Sequence, residues 1–156
     1  MRFIETNYIN QDQKNAILRL WNKEYPDQLR FPDMIDLDIY LGNLENQSHY
    51  FAIDKNEKII AWTFLFEREN EKCFAMILDS SFQRKGLGTS LLQRLKEKET
   101  ILNGWVIDHA NYIRQNGEIY ASPLSFYLKN DFVVCKNIRL ETEKISAVKI
   151  KWQIQK

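Results

Sequence analysis

A strand, a glycine-bearing loop and a helix follow one another directly in this chain, and that succession limits its fold more than any other feature. The run Phe74-Ala75-Met76-Ile77-Leu78 is apolar enough for a buried strand, and Asp79 to Gly86 interrupts it. Leu87, Leu91, Leu92 and Leu95 then recur at helical spacing, and Lys96 to Glu99 is polar beyond them. At the junction stands Gln83-Arg84-Lys85-Gly86-Leu87-Gly88, followed by Thr89. Gly86 and Gly88 open the helix, where the first backbone N–H groups lack an intrahelical acceptor and the positive end of the helix dipole lies. Glycine lets an anion come close to the backbone, and Arg84 and Lys85 add positive charge. The junction therefore reads as an anion site suited to a pyrophosphate. It is not a Walker A loop, because no Gly-Lys-Ser/Thr follows at the required spacing, nor the dinucleotide Gly-x-Gly-x-x-Gly pattern. A glycine-containing helix start with two solvated cations looks the same in isolation, so the surrounding elements decide.

Those elements alternate in type. Arg2 to Glu5 reads as a short first strand and Gln11 to Tyr25 as a helix, which Pro26 stops. Pro32 suits the first turn of a second helix running to about Leu44. His49 to Asp54, Lys58 to Phe66 and Lys72 to Leu78 read as three strands of an antiparallel meander, with Asn56 tolerating left-handed geometry in the first turn. After the leucine-striped helix, Gly104 marks a helix end and Trp105 to Ile107 a short strand. Asn111 to Ala121 reads as a long loop and Leu124 to Asn130 as a short helix opened by Pro123. Phe132 to Cys135 and Ile145 to Ile154 are the last strands, the latter alternating Val148, Ile150 and Trp152 with Lys149, Lys151 and Gln153. The expectation is one mixed α/β (α+β) domain over residues 1–156, with helices on a mostly antiparallel sheet.

Composition excludes several classes. Apolar residues at 44% and charged residues at 28% describe a globular rather than a disordered chain. A net charge of +1 does not suggest nucleic acid or an anionic membrane as partner. Cys73 and Cys135 are too few for a disulfide framework, no Cys/His cluster has zinc spacing, and the N-terminus has no signal-peptide core. These point to a cytoplasmic chain without metal. The final strand reads equally as an oligomer edge and as an edge protected by lysines, so monomer and homodimer both stay open.

Further along, Ser125-Phe126-Tyr127-Leu128-Lys129-Asn130-Asp131-Phe132 follows the loop in order. Gln83 to Gly88 resembles the Gln/Arg-x-x-Gly-x-Gly/Ala signature of the GCN5-related N-acetyltransferases (GNAT), and Phe126 to Phe132 resembles that family's second signature. The resemblance implies a GNAT-like sheet with a splayed parallel strand pair, acetyl-CoA as co-substrate without a metal, and a small-molecule or peptide amine as acceptor. It places backbone near Ile77 and Leu78 on the pantetheine amides and an oxyanion-stabilising N–H nearby. Gln83, Arg84, Lys85, Gly86, Leu87, Gly88 and Thr89 would lie at the pyrophosphate. It makes Tyr127, as a phenol near its normal pKa, the acid that protonates the departing thiolate. The chain departs from the family pattern at Tyr120, where asparagine is frequent, and at Asp131, where glycine is frequent.

The amine must lose a proton. Asp108 is the candidate base, at the end of the strand beside the expected thioester, with His109, Asp79, Glu67 and Glu118 as further candidates. A strand-end aspartate capping backbone explains Asp108 as well. Trp21, Tyr25, Phe31 and Tyr40 fall in the region that lines the acceptor site in the family, and core packing explains such aromatics too. A CoA-binding sensor or interaction module without catalysis would keep the same loop and stays as the alternative.

Overall fold

The computed structural model describes residues 1–155. Its elements are β1 (Arg2–Thr6), α1 (Gln11–Glu24), α2 (Met34–Gly42), β2 (Glu45–Ile53), β3 (Ile59–Arg68), β4 (Glu71–Leu78), α3 (Leu87–Lys98), β5 (Ile101–Val106), α4 (Leu124–Lys129), β6 (Val133–Glu141) and β7 (Ser146–Gln153). They form one seven-stranded sheet in the order β1-β2-β3-β4-β5-β7-β6. Neighbours run antiparallel except β4 and β5, so the expected mixed sheet with one parallel pair is present.

Local chemistry sets the element ends. Asn10 accepts from the Gln13 N–H at 2.8 Å while the Gln13 side chain accepts from the Asn10 N–H at 3.0 Å, a reciprocal cap that starts α1. Asp33, not Pro32, caps α2 by accepting from the Asp36 N–H, so Pro32 lies outside the helix. In the β2–β3 turn the left-handed residue is Glu57 rather than Asn56, and the Asp54 carboxylate holds the Asn56 and Lys58 N–H groups. Glu69 and Asn70, both left-handed, make the tight β3–β4 turn.

Alternation along the strands builds two packed layers. Trp62, Phe64 and Phe66 of β3 meet Ile17, Leu20 and Trp21 of α1 and Leu37 and Leu41 of α2. On the other face, Leu65 and Phe74 pack with Leu92 and Leu95 of α3 and Tyr127 of α4. Each buried leucine of the α3 stripe contributes about 1.5–3 kcal/mol relative to exposure.

Two further expectations are corrected. Gly104 does not end a helix: α3 stops at Lys98, and Gly104 sits inside β5, where a Cβ would come within 2.8 Å of the Phe74 ring. The final strand is not an edge, because β7 lies between β5 and β6, leaving β1 and β6 as the edges. Lys149 of β7 is held by both carboxylate oxygens of Glu71 at 2.8 and 2.9 Å. Both cysteines are free thiols. No helix among the described residues is long and apolar enough to cross a membrane, and no metal-holding group of His, Cys, Asp or Glu occurs among them.

Candidate functional site

The site begins where the sheet opens. β4 and β5 pair only at Cys73 and Asn103 and then diverge. The register identifies the backbone left free on β4. Asp79 N–H donates to Ile60 O at 2.8 Å, so in the continuous antiparallel ladder residues 79, 77, 75 and 73 bond to β3. Met76 and Leu78 therefore turn their N–H and C=O groups towards the gap. Ile77 does not: its backbone is paired with Trp62, so of the two residues expected to present backbone here Leu78 faces the gap and Ile77 faces β3. β5 alternates in the same way. Ile154 N–H donates to Thr100 O, which assigns residues 102, 104 and 106 to β7 and turns Trp105 towards the gap.

The loop after β4 leads directly to the start of α3. Gln83, Arg84, Lys85 and Gly86 are exposed, and Arg84 and Gly86 have φ of 64° and 81°. No side chain caps α3, its first turn carries no acid, and the first intrahelical bond of the turn is Ser90 N–H to Gly86 O. The N–H groups of Leu87, Gly88 and Thr89 are thus free at a helix of twelve residues. The two glycines serve different ends. Gly86 is required by its left-handed backbone. Gly88 is buried, and a Cβ there would approach Phe126 of α4 at 2.8 Å, so its missing side chain makes room for that ring while its backbone N–H stays free. A hollow of about 270 Å³ adjoins the loop between Phe3, Phe82 and Lys85.

A larger cleft of about 360 Å³ runs from the gap to the helical layer. Ala75, Met76, Gly104 and Trp105 border it on the sheet side, and Trp21, Phe31 and Tyr40 on the other. Tyr127 is buried in its wall, which half-buried Tyr25, Tyr40 and Tyr120 also line. None of these four hydroxyls has a hydrogen-bond partner among the described residues. Burial, and then the neighbouring Tyr120, pushes the Tyr127 phenol well above its ordinary value, which corrects the expectation of a normal pKa. Burial likewise raises Tyr40 and Tyr120 to about 12.

The carboxylates offered by the sequence are all engaged. Asp108 is gripped by Arg139, with Nη1 to Oδ2 at 2.9 Å and Nη2 to Oδ1 at 3.1 Å. Those hydrogen bonds hold its carboxyl below the ordinary value, which works against the proton abstraction expected of it. Asp79 is buried at the end of β4; burial pushes its carboxyl up, but the Ser81 and Lys23 hydrogen bonds prevail and hold it at about 2. Glu67 pairs with Asn46 and Lys72, Glu118 with Arg114, and His109 Nδ1 accepts from the Asn111 N–H. Sequence reasoning missed Glu24. It is buried at the end of α1, accepts from the Ser80 N–H at 2.9 Å and from Arg114 at 3.2 Å, and so ties α1, the β4 end and the 111–121 loop together. Its place on the buried stripe of α1, with Ile17, Leu20 and Trp21, was the available signal.

Comparison with known proteins places this geometry. The sequence model described as the acetyltransferase (GNAT) domain matches residues 46–134. No curated protein matches the chain by sequence. Among solved structures, an aminoglycoside 6'-N-acetyltransferase complexed with coenzyme A superposes with a TM-score of 0.74 at 13% identity, over 100% of this chain and 99% of that one. A phosphinothricin acetyltransferase from Sinorhizobium meliloti in complex with AcCoA gives 0.66 at 13% identity, over 99% and 89%. The ribosomal-protein-S18-alanine N-acetyltransferase from Escherichia coli gives 0.61 at 16% identity, over 99% and 96%. With a family match across more than half of its length and the splayed parallel pair in its sheet, the chain belongs to the GNAT acetyltransferase family.

Proposed function

We propose that the chain is an N-acetyltransferase moving the acetyl group of acetyl-CoA to a primary amine by direct attack, with both substrates bound together. One observation carries this reading: unpaired strand backbone at Met76 and Leu78 is joined by one short loop to the free N–H groups of α3. The structural neighbours crystallised with coenzyme A and AcCoA support the donor. The residues present fit that group, since the α3 start offers three free donors without an acidic side chain in its first turn. When bound, the group supplies an activated thioester and a thiolate leaving group.

Leu87, Gly88 and Thr89, with Gly86, would hold the pyrophosphate on their backbone, and Gln83, Arg84 and Lys85 would flank it. Met76 and Leu78 would bond the pantetheine amides as a neighbouring strand does, while Ile77 keeps β4 fixed to β3. An N–H in this gap would also stabilise negative charge on the acyl oxygen. Tyr127 stays protonated at neutral pH and donates a hydrogen bond towards the departing sulfur. Full transfer from so weak an acid to a thiolate, whose thiol has a pKa of about 8.5, is uphill. Tyr127 therefore stabilises charge, and solvent completes the protonation. The proton lost by the amine goes to water, while Asp108 anchors Arg139.

One observation favours the non-catalytic CoA-binding reading: among the described residues, no carboxylate or imidazole lines the cleft. Thiol release from acetyl-CoA with a panel of primary amines, alongside calorimetric binding, separates the two. Amine-dependent release supports transfer; binding without release supports the module.

A further inference from the structure

The cleft is asymmetric in charge. Its only charged lining residues among those described are Arg68, at the end of β3, and Lys144, in the β6–β7 turn. Both are exposed, and neither forms a salt bridge among the described residues. Glu71, opposite Arg68 across the hairpin, is instead held by Lys149. Arg68 lies over the Phe66 ring, with its guanidinium carbon 5.4 Å from the centroid, and Phe66 borders the cleft. The Lys144 main chain is tied to the end of the helical layer by the Gln28 amide, which donates to its carbonyl at 3.1 Å. Both cations are thus mounted on supported backbone at one cavity.

The rest of the wall is apolar or neutral. Trp21 packs at a tilt against Phe31, 4.6 Å between centroids, and edge-on against Tyr40 at 5.0 Å. The Trp21 N–H already donates to Leu29 O at 2.8 Å, so the indole offers carbon to the cleft. A polycationic acceptor would enter against two like charges with no carboxylate to meet it. An acceptor with an apolar body and an anionic group would meet ring faces, phenol donors and two cations.

We infer that the acceptor is a small primary amine with an apolar body and a carboxylate, the carboxylate being received by Arg68 and Lys144. This rests on the acetyl-transfer reading above. The amine nitrogen forms the bond to the acetyl carbon, the carbon–sulfur bond breaks with its electron pair on sulfur, and the amine's extra proton leaves to water.

The test uses matched amines on the full chain: phenylalanine against 2-phenylethylamine, leucine against 3-methylbutylamine, and spermidine as a polycation. Thiol release from acetyl-CoA is measured for each, with rates corrected to the free-base fraction. In at least one pair the carboxylated member should have a kcat/KM about tenfold or more above its partner, the scale of a hydrogen bond to a charged group. Arg68→Gln and Lys144→Gln should each shrink that ratio through KM of the carboxylated amine, and Arg68→Lys should keep part of it. A preference for spermidine, ratios near one, or a ratio that both variants leave unchanged would overturn the inference while transfer itself stands. If acetyl-CoA binds by calorimetry and no amine releases thiol, the transfer reading fails and the inference with it.

Discussion

Replacing Gly88 with alanine tests how the loop is held against the rest of the site. The added Cβ would lie 2.8 and 3.2 Å from Cζ and Cε1 of Phe126, while Leu78 Cδ2 at 3.6 Å is in ordinary contact. Overpacking of this kind costs about 1–3 kcal/mol. Alanine recovers about 0.5–1 kcal/mol of the conformational penalty of a helical glycine. The net loss is at most about 2.5 kcal/mol, a fall in Tm of up to about 10 °C for a chain of this size. CoA affinity should fall with it, because relieving the contact moves the first turn of α3. Phe126→Leu removes the two ring atoms responsible. In that background the same glycine-to-alanine change should stabilise, by about 0.5–1 kcal/mol, leaving only the helix term. Thermal or urea unfolding of the four proteins measures the cycle. Equal destabilisation in both backgrounds would refute the steric reasoning and return Gly88 to a role in anion approach.

Further outcomes follow from the groups around the cleft. Tyr127→Phe should lower kcat about a hundredfold with little change in CoA affinity, and wild-type activity should show no descending limb from Tyr127 below pH 10, measured by steady-state rates across pH. Asp108→Asn should keep kcat within about tenfold, where loss of a general base would cost about 10²–10⁴. His49 is fully buried, and burial lowers its pKa to about 4. Its Nδ1 accepts from the Trp62 N–H at 3.0 Å, so protonation there would break that bond. Between pH 6.5 and 4 the unfolded chain binds the extra proton, so stability should fall by roughly 3 kcal/mol as pH drops through that window. His49→Gln should flatten this part of a urea-unfolding pH series.

The sequence made the motif-bearing elements legible because their signals are local. The Leu87-to-Leu95 stripe, the loop before it and Pro123 before the last helix each act within a few residues. What escaped depends on neighbours far along the chain. Gly104 resembles a helix end until Phe74 is seen to occupy its missing side chain. Asp108 looked free because its partner Arg139 lies beyond the β6 irregularity between Cys135 and Arg139, past the expected end of that strand. That Met76 rather than Ile77 turns its backbone to the gap depends on the hydrogen-bonding phase of β4, which an apolar run on both faces does not reveal. The aromatic residues of α1 and α2 proved to be both packing and cleft wall, Trp21 being in the core cluster and on the cavity at once.

The single bridge between Cys73 and Asn103 has a mechanical consequence. Strands β1 to β4 and strands β5, β7 and β6 are two half-sheets sharing one hinge-like link of main-chain bonding. A ligand lying in the gap and bonding Met76 and Leu78 would act as a tie between them, completing the molecule's hydrogen-bonded framework. Amide exchange at Met76, Leu78 and Trp105 should then slow on occupancy more than elsewhere in the sheet, and the melting transition should sharpen as well as rise.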